Sequence, residues 1–68
     1  MKTYTVKHIE NGSESVELSY KDAKETASEF IYDMGGTIEI WKNNRYGSPV
    51  ELCRTETALW VNYHLSAN

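Results

Sequence analysis

Residues 19–36 read SYKDAKETASEFIYDMGG, and the pattern in this stretch decides the fold. Ala23, Ala27, Phe30, Ile31 and Met34 fall at i, i+4, i+7, i+8 and i+11, which is one apolar stripe of an α-helix. Ser19 stands where an N-cap belongs, with Asp22 three residues on in a capping-box-like arrangement. Gly35 and Gly36 stop the helix, because glycine accepts the left-handed conformation that follows a last turn. The stretch therefore predicts one helix, flanked on both sides by short alternating segments.

Upstream, Tyr4 and Val6 alternate with Thr3, Thr5 and Lys7, a period-two strand with its apolar face on the even numbers. Val16 and Leu18 repeat that pattern after Asn11-Gly12. A two-residue loop would set Val6 against Glu17. A three-residue loop, Glu10-Asn11-Gly12, sets Val6 against Val16 and Tyr4 against Leu18, with Gly12 at the left-handed position. The second arrangement is the expected one. Downstream come Ile38 and Ile40, a polar loop KNNRYGSP, then Val50 and Leu52. A turn at Thr55-Glu56-Thr57-Ala58 pairs Leu52 with Val61 and Val50 with Tyr63, apolar facing apolar. The expected class is α+β in two layers: one α-helix on a five-stranded antiparallel sheet, order ββαβββ, with residues 1–68 as a single domain.

One helix covers one side of such a sheet and leaves the other wet. The residues expected on the open side are Thr37, Glu39, Trp41, Glu51, Cys53, Trp60, Asn62 and His64, with Thr5, Lys7 and Glu17 beyond them. Both tryptophans fall on it, and tryptophan is enriched at binding hot spots. A loop folded over the rings, or a twisted edge, is the plainer reading. The expected register also sets Glu39 opposite Glu51, a destabilising like-charge pair that a basic partner would relieve. A register one notch off is the alternative, because the long loop does not fix the pairing.

On the helix, Asp22, Glu25, Glu29 and Asp33 lie within an arc of about 80°. Glu25/Glu29 and Glu29/Asp33 repel by a few tenths of a kcal/mol each, and Asp33 stands at the wrong end of the helix dipole. Two readings stay open: a solvated face, or an electrostatic footprint for a positively charged partner.

At 68 residues there is room for one small core, and an enclosed pocket would consume much of it. The whole net charge of −3 lies in the first half, seven acidic against four basic residues, while the second half balances three against three. That distribution argues against a general nucleic-acid binder, which needs a basic stripe. MKTYTVKHIE has no apolar run of the kind a secretory signal carries, and no run approaches a membrane span, so the cytoplasm is the expected location. The lone Cys53 excludes an internal disulfide.

Cys53, His8 and His64 do not make the closely spaced ligand set a structural zinc site needs, so neither metal nor cofactor is expected. Gly35-Gly36 follows a helix rather than preceding one, which excludes a phosphate loop. The paired carboxylates lie on flat or convex surfaces with no cleft to raise a pKa. No catalytic residue is assigned, and the chain is read as a non-enzyme. Arg45 and Tyr46, in the polar loop, join a cation to an aromatic and are candidate contacts. A nucleic-acid reading would combine Arg45, Lys42 and Arg54 with Trp41 as a stacking platform, against the charges of Glu39 and Glu51.

The MKxYxVK opening, the Ser19-x-x-x-Ala23-Lys24-x-x-Ala27 helix start and the Gly36-Thr37 strand entry resemble small phage-encoded inhibitors of the anti-CRISPR type, in members with a single helix on an antiparallel sheet. The likeness spans about half the chain. It implies a non-enzymatic protein that binds a host defence or regulatory complex and blocks it. Some proteins of this shape are basic and touch nucleic acid; the acidic first half departs from that pattern, and no functional residue transfers. The expected activity is occlusion of a basic surface on a larger host protein, through Trp41, Trp60, Glu39 and Glu51, then Arg45 and Tyr46, with Asn62 and the helix ridge. The alternatives are a homodimer closed through the tryptophan face and a small nucleic-acid-binding domain.

Overall fold

The computed structural model describes residues 2–61, the side chains of residues 59–61 excepted. The elements follow in the order β1 (Tyr4–His8), β2 (Glu14–Glu17), α1 (Tyr20–Met34), β3 (Gly35–Asn43) and β4 (Pro49–Val61). All strand pairs are antiparallel, and the sheet order is β2-β1-β3-β4. The α+β class and the single helix on an antiparallel sheet stand. The expected five strands in the order ββαβββ are corrected to four among the described residues, in the order ββαββ.

The helix forms where the stripe places it. Ser19 has extended φ/ψ of −146° and 159°, and its Oγ accepts from the Asp22 N–H at 3.1 Å. Ala23 and Ala27 are buried, with Phe30 and Ile31 packed beside them. Gly35 ends the helix at φ 65°, ψ −152°, a region open essentially to glycine alone, and its N–H closes on the Ile31 carbonyl. Strand β3 begins at that same residue, so the glycine pair reverses the chain without a loop.

The core is small: Val6 from β1, Ala23 and Ala27 from α1, and Ile38 and Ile40 from β3. Tyr4 and Tyr20 close one end with ring centroids 5.6 Å apart. His8 joins this layer, 1% exposed, with its ring centroid 6.2 Å from that of Phe30 and the two planes at 73°. Its Nε2 lies 2.6 Å from the Gly35 carbonyl, an acceptor only, so that nitrogen carries the proton. Nδ1 then accepts from the Asn11 N–H at 3.3 Å.

Two departures from the expected register share one origin, the insertion of single residues, and a third has another. The first is in the β1–β2 hairpin. Its loop runs Ile9–Gly12, one residue longer than expected, closed by His8 N–H to Ser13 C=O and Gly12 N–H to His8 C=O. The Ile9 N–H bonds the Thr37 carbonyl, and Glu10 accepts the Thr37 N–H, so both residues are drawn toward β3. Gly12 does take the left-handed conformation, at φ 78°. Val6 therefore pairs with Ser15 and Thr5 with Val16, which turns Val16 away from the helix, 62% exposed. Glu17 takes the inner side instead, and its Oε2 accepts from Thr26 Oγ1 on α1 at 3.0 Å.

The second departure is in the β3–β4 hairpin. The turn is tight: Asn44 N–H bonds Ser48 C=O, Gly47 N–H bonds Asn44 C=O, and Asn44 Oδ1 accepts from the Tyr46 and Ser48 N–H groups. Gly47, at φ 84°, supplies the left-handed residue. Beyond it, β4 carries two one-residue bulges, Val50 between the Asn43–Pro49 and Lys42–Glu51 pairs, and Cys53 between Trp41–Leu52 and Ile40–Arg54. A bulge of one residue reverses which side the following side chains face. Leu52 lies on the open side and Arg54 on the helix side.

The third correction is the turn at Thr55–Ala58, which does not exist. Thr55, Glu56 and Thr57 pair with Glu39, Ile38 and Thr37 as continuous strand. The segment contains no glycine, proline or asparagine to reverse the chain, whereas its two threonines favour extended backbone. The full length of β3 is there to pair with it. The expected Leu52–Val61 pair is replaced by Leu52–Trp41 and Val61–Gly35.

Candidate functional site

The side of the sheet away from α1 is organised in rows that cross all four strands. One row runs Val16, Thr5, Trp41, Leu52, and the row beside it runs Glu14, Lys7, Glu39, Thr55. Thr5 forms the floor of the first row at 3% exposure. Its Oγ1 donates to Asn43 Oδ1 at 2.8 Å, and Asn43 Nδ2 donates to Thr3 Oγ1 at 3.0 Å. These buried, satisfied polar groups fix the backbone beneath the indole.

Trp41 is half-buried, and its described side-chain contacts are with neighbours on its own face. Its Nε1–H donates to Glu39 Oε1 at 3.0 Å, and Lys7 Nζ stands 5.4 Å from the ring centroid. The indole is thereby held in one orientation, with its polar edge satisfied and a cation against its face. Val16 and Leu52 flank it at 62% and 47% exposure, and Leu18 and Val50 nearby in the chain are 69% and 59% exposed. What this assembles is a pre-oriented aromatic between two exposed aliphatics, bordered by an alternating −/+/− row.

The expected site residues do not gather at one place. Trp41 and Glu39 share the open face as expected. The like-charge pair is overturned: Glu39 faces Thr55 and Lys7, while Glu51 faces Lys42 on the other side of the sheet. The two bulges in β4 cause that shift, and they remove repulsion as a reason for a partner. Arg45 and Tyr46 occupy the β3–β4 turn, the guanidinium 5.6 Å from the Tyr46 ring, which is 82% exposed. Asp22, Glu25, Glu29 and Asp33 are all exposed on α1, in the opposite layer from Trp41. A partner seated on the indole would have to wrap the molecule to reach them. The Trp60 side chain and Asn62 lie outside the described residues, as does His64.

No family model, curated protein or solved structure matches this chain.

Between α1 and β4 runs an open groove of about 370 Å³, lined by Lys21, Lys24, Glu25, Ser28, Arg54 and Glu56. Two of its charges pair with each other. Arg54 Nε donates to Glu56 Oε1, which holds the guanidinium still more firmly in its charged form. Lys24 Nζ stands 5.3 Å from the Tyr20 ring centroid. Among the described residues no three His, Cys, Asp or Glu converge as a metal site requires, and no helix is long and apolar enough to cross a membrane. Cys53 is exposed at its bulge.

Val16, Leu52 and Lys7 are the participants that sequence reasoning missed or misplaced. The first two were assigned to the core because their parity depends on the inserted residues. The alternation that put Lys7 on the open face was legible, but its diagonal approach to Trp41 needs the β1–β3 register.

Proposed function

We propose that this chain is a non-catalytic protein-binding module that acts by covering a surface of a larger protein, in the manner of the small phage-encoded inhibitors its sequence resembles. One observation carries the reading: a restrained indole between exposed aliphatic side chains, on a sheet face that α1 leaves uncovered. Apolar groups already held in place lose little conformational freedom on docking, and such aromatics dominate interface energetics. The charged row beside it suits a partner with an apolar pocket rimmed by basic groups. Those groups would meet Glu14 and Glu39 and avoid Lys7, which gives orientation more than affinity.

The test is capture from a host lysate by the immobilised wild-type chain and by Trp41→Ala, with circular dichroism confirming that the variant folds. A protein retained by the wild type and lost, or weakened by roughly 30-fold or more (about 2 kcal/mol), with Trp41→Ala supports the module. Equal retention by both chains, or none by either, defeats it.

A further inference from the structure

We propose that β4 is a homodimerisation edge, in which residues 54–56 of two copies pair antiparallel about a two-fold axis at Thr55 and join the two sheets edge to edge. This surface is separate from the Trp41 face, and the two can fail independently.

Among the described residues the sheet has two outer strands, and they differ in how well they are protected. Strand β2 is only four residues long, and shortness is one way proteins blunt an edge. Strand β4 runs thirteen residues, PVELCRTETALWV, with proline only at its first position and no lysine. Among the described residues its one strand neighbour is β3. Every residue from Pro49 to Thr55 is exposed. The bulges at Val50 and Cys53 spoil the first part of the strand as a template. From Arg54 to Thr57 the ladder with β3 is regular, so this segment presents an ordinary outer edge.

What selects a second copy as the occupant is self-complementarity. A two-fold axis perpendicular to the sheet sets residues of like facing against each other, so the axis must pass through a residue position. Centring it on Arg54 opposes two arginines, and centring it on Glu56 opposes two glutamates. Centring it on Thr57 leaves both charges facing uncharged residues. Centring it on Thr55 places Arg54 opposite Glu56 of the second copy, and Glu56 opposite its Arg54. Within one copy these side chains already meet on the helix side, 48% and 35% exposed, so the pairing turns one ion pair into a square of four alternating charges. The second sheet would also close the groove beside α1 that Arg54 and Glu56 line.

Sedimentation velocity over a low- to high-micromolar concentration series tests the proposal. The wild type is expected to dimerise. Arg54→Glu and Glu56→Arg should each weaken the dimer by at least roughly tenfold, since each turns two attractive cross-strand pairs repulsive. The double swap Arg54→Glu/Glu56→Arg should restore it. Both side chains are exposed, so circular dichroism spectra of all variants should match. As a second readout, Thr55→Cys in a Cys53→Ser background should give a disulfide-linked dimer with oxidised glutathione, because the axis brings the two residues together. A wild type that stays monomeric overturns the proposal. So does a dimer that ignores the single reversals, is not restored by the swap, or is abolished by Trp41→Ala instead.

Discussion

Glu10 is an exposed carboxylate with a structural duty. Its Oε1 accepts the Thr37 N–H at 2.8 Å, and that backbone donor holds its pKa below the usual glutamate value. The hydrogen bond ties the β1–β2 loop to the start of β3. Close approach there requires Gly36, where an added Cβ would come within 2.7 Å of the same oxygen and meet a φ of 75°. A group whose pKa is depressed on folding contributes stability above its unfolded value, and that contribution is lost as pH falls through the lower folded value. Glu10→Gln keeps an acceptor and removes the charge. Wild type is therefore expected to exceed Glu10→Gln in stability near neutrality by no more than about 0.5 kcal/mol, the carboxylate being solvent-screened. The gap should close at acid pH. Urea unfolding at a series of pH values measures it, and a gap that does not change with pH would show that the charge contributes nothing. His8 illustrates what was legible at this scale. Its even position beside Tyr4 and Val6 placed it on the core face, but its hydrogen bonds to Gly35 and Asn11 depend on loops that periodicity does not describe.

At the scale of elements, legibility tracked how many local signals agreed. The helix had a stripe, an N-cap and a glycine stop, and it formed between the residues they mark. Strand facing rests on parity, and one inserted residue reverses it. Val16 and Leu52 read as core for that reason, since nothing in the local sequence announces a four-residue loop or a bulge at Cys53. The supposed turn at Thr55–Ala58 came from the symmetric placement of apolar residues around it. Replacing Glu56-Thr57 with Asn-Gly separates hairpin from strand. A hairpin centred there would be stabilised by this preferred turn pair. A continuous β4 should lose about 1–2 kcal/mol, because glycine and asparagine are poor strand residues. Thermal unfolding of Glu56→Asn/Thr57→Gly at one fixed protein concentration decides between them, and an increased melting temperature would contradict the continuous strand.

Among the described residues, the apolar side chains divide between a face that makes the fold and an outer face that α1 does not cover. Among the described residues Val6, Ala23, Ala27, Ile38 and Ile40 form the buried cluster, and the two isoleucines sit two residues apart on the central strand β3. A chain of 68 residues has on the order of 3–10 kcal/mol of total stability. Ile38→Ala removes atoms that are 0% exposed, at a cost of about 2–5 kcal/mol, a large share of that total. Leu52→Lys changes a side chain of similar length that is 47% exposed on the open face, and should shift stability by only about 0.5 kcal/mol. Denaturant unfolding of the two variants beside the wild type measures the contrast. If Leu52→Lys proves as damaging as Ile38→Ala, the outer face is held by something as a second core, and the surface assigned to binding is not free. If the contrast holds, substitutions at Val16, Trp41 and Leu52 report on recognition alone, and folding and binding in this small chain can be titrated apart.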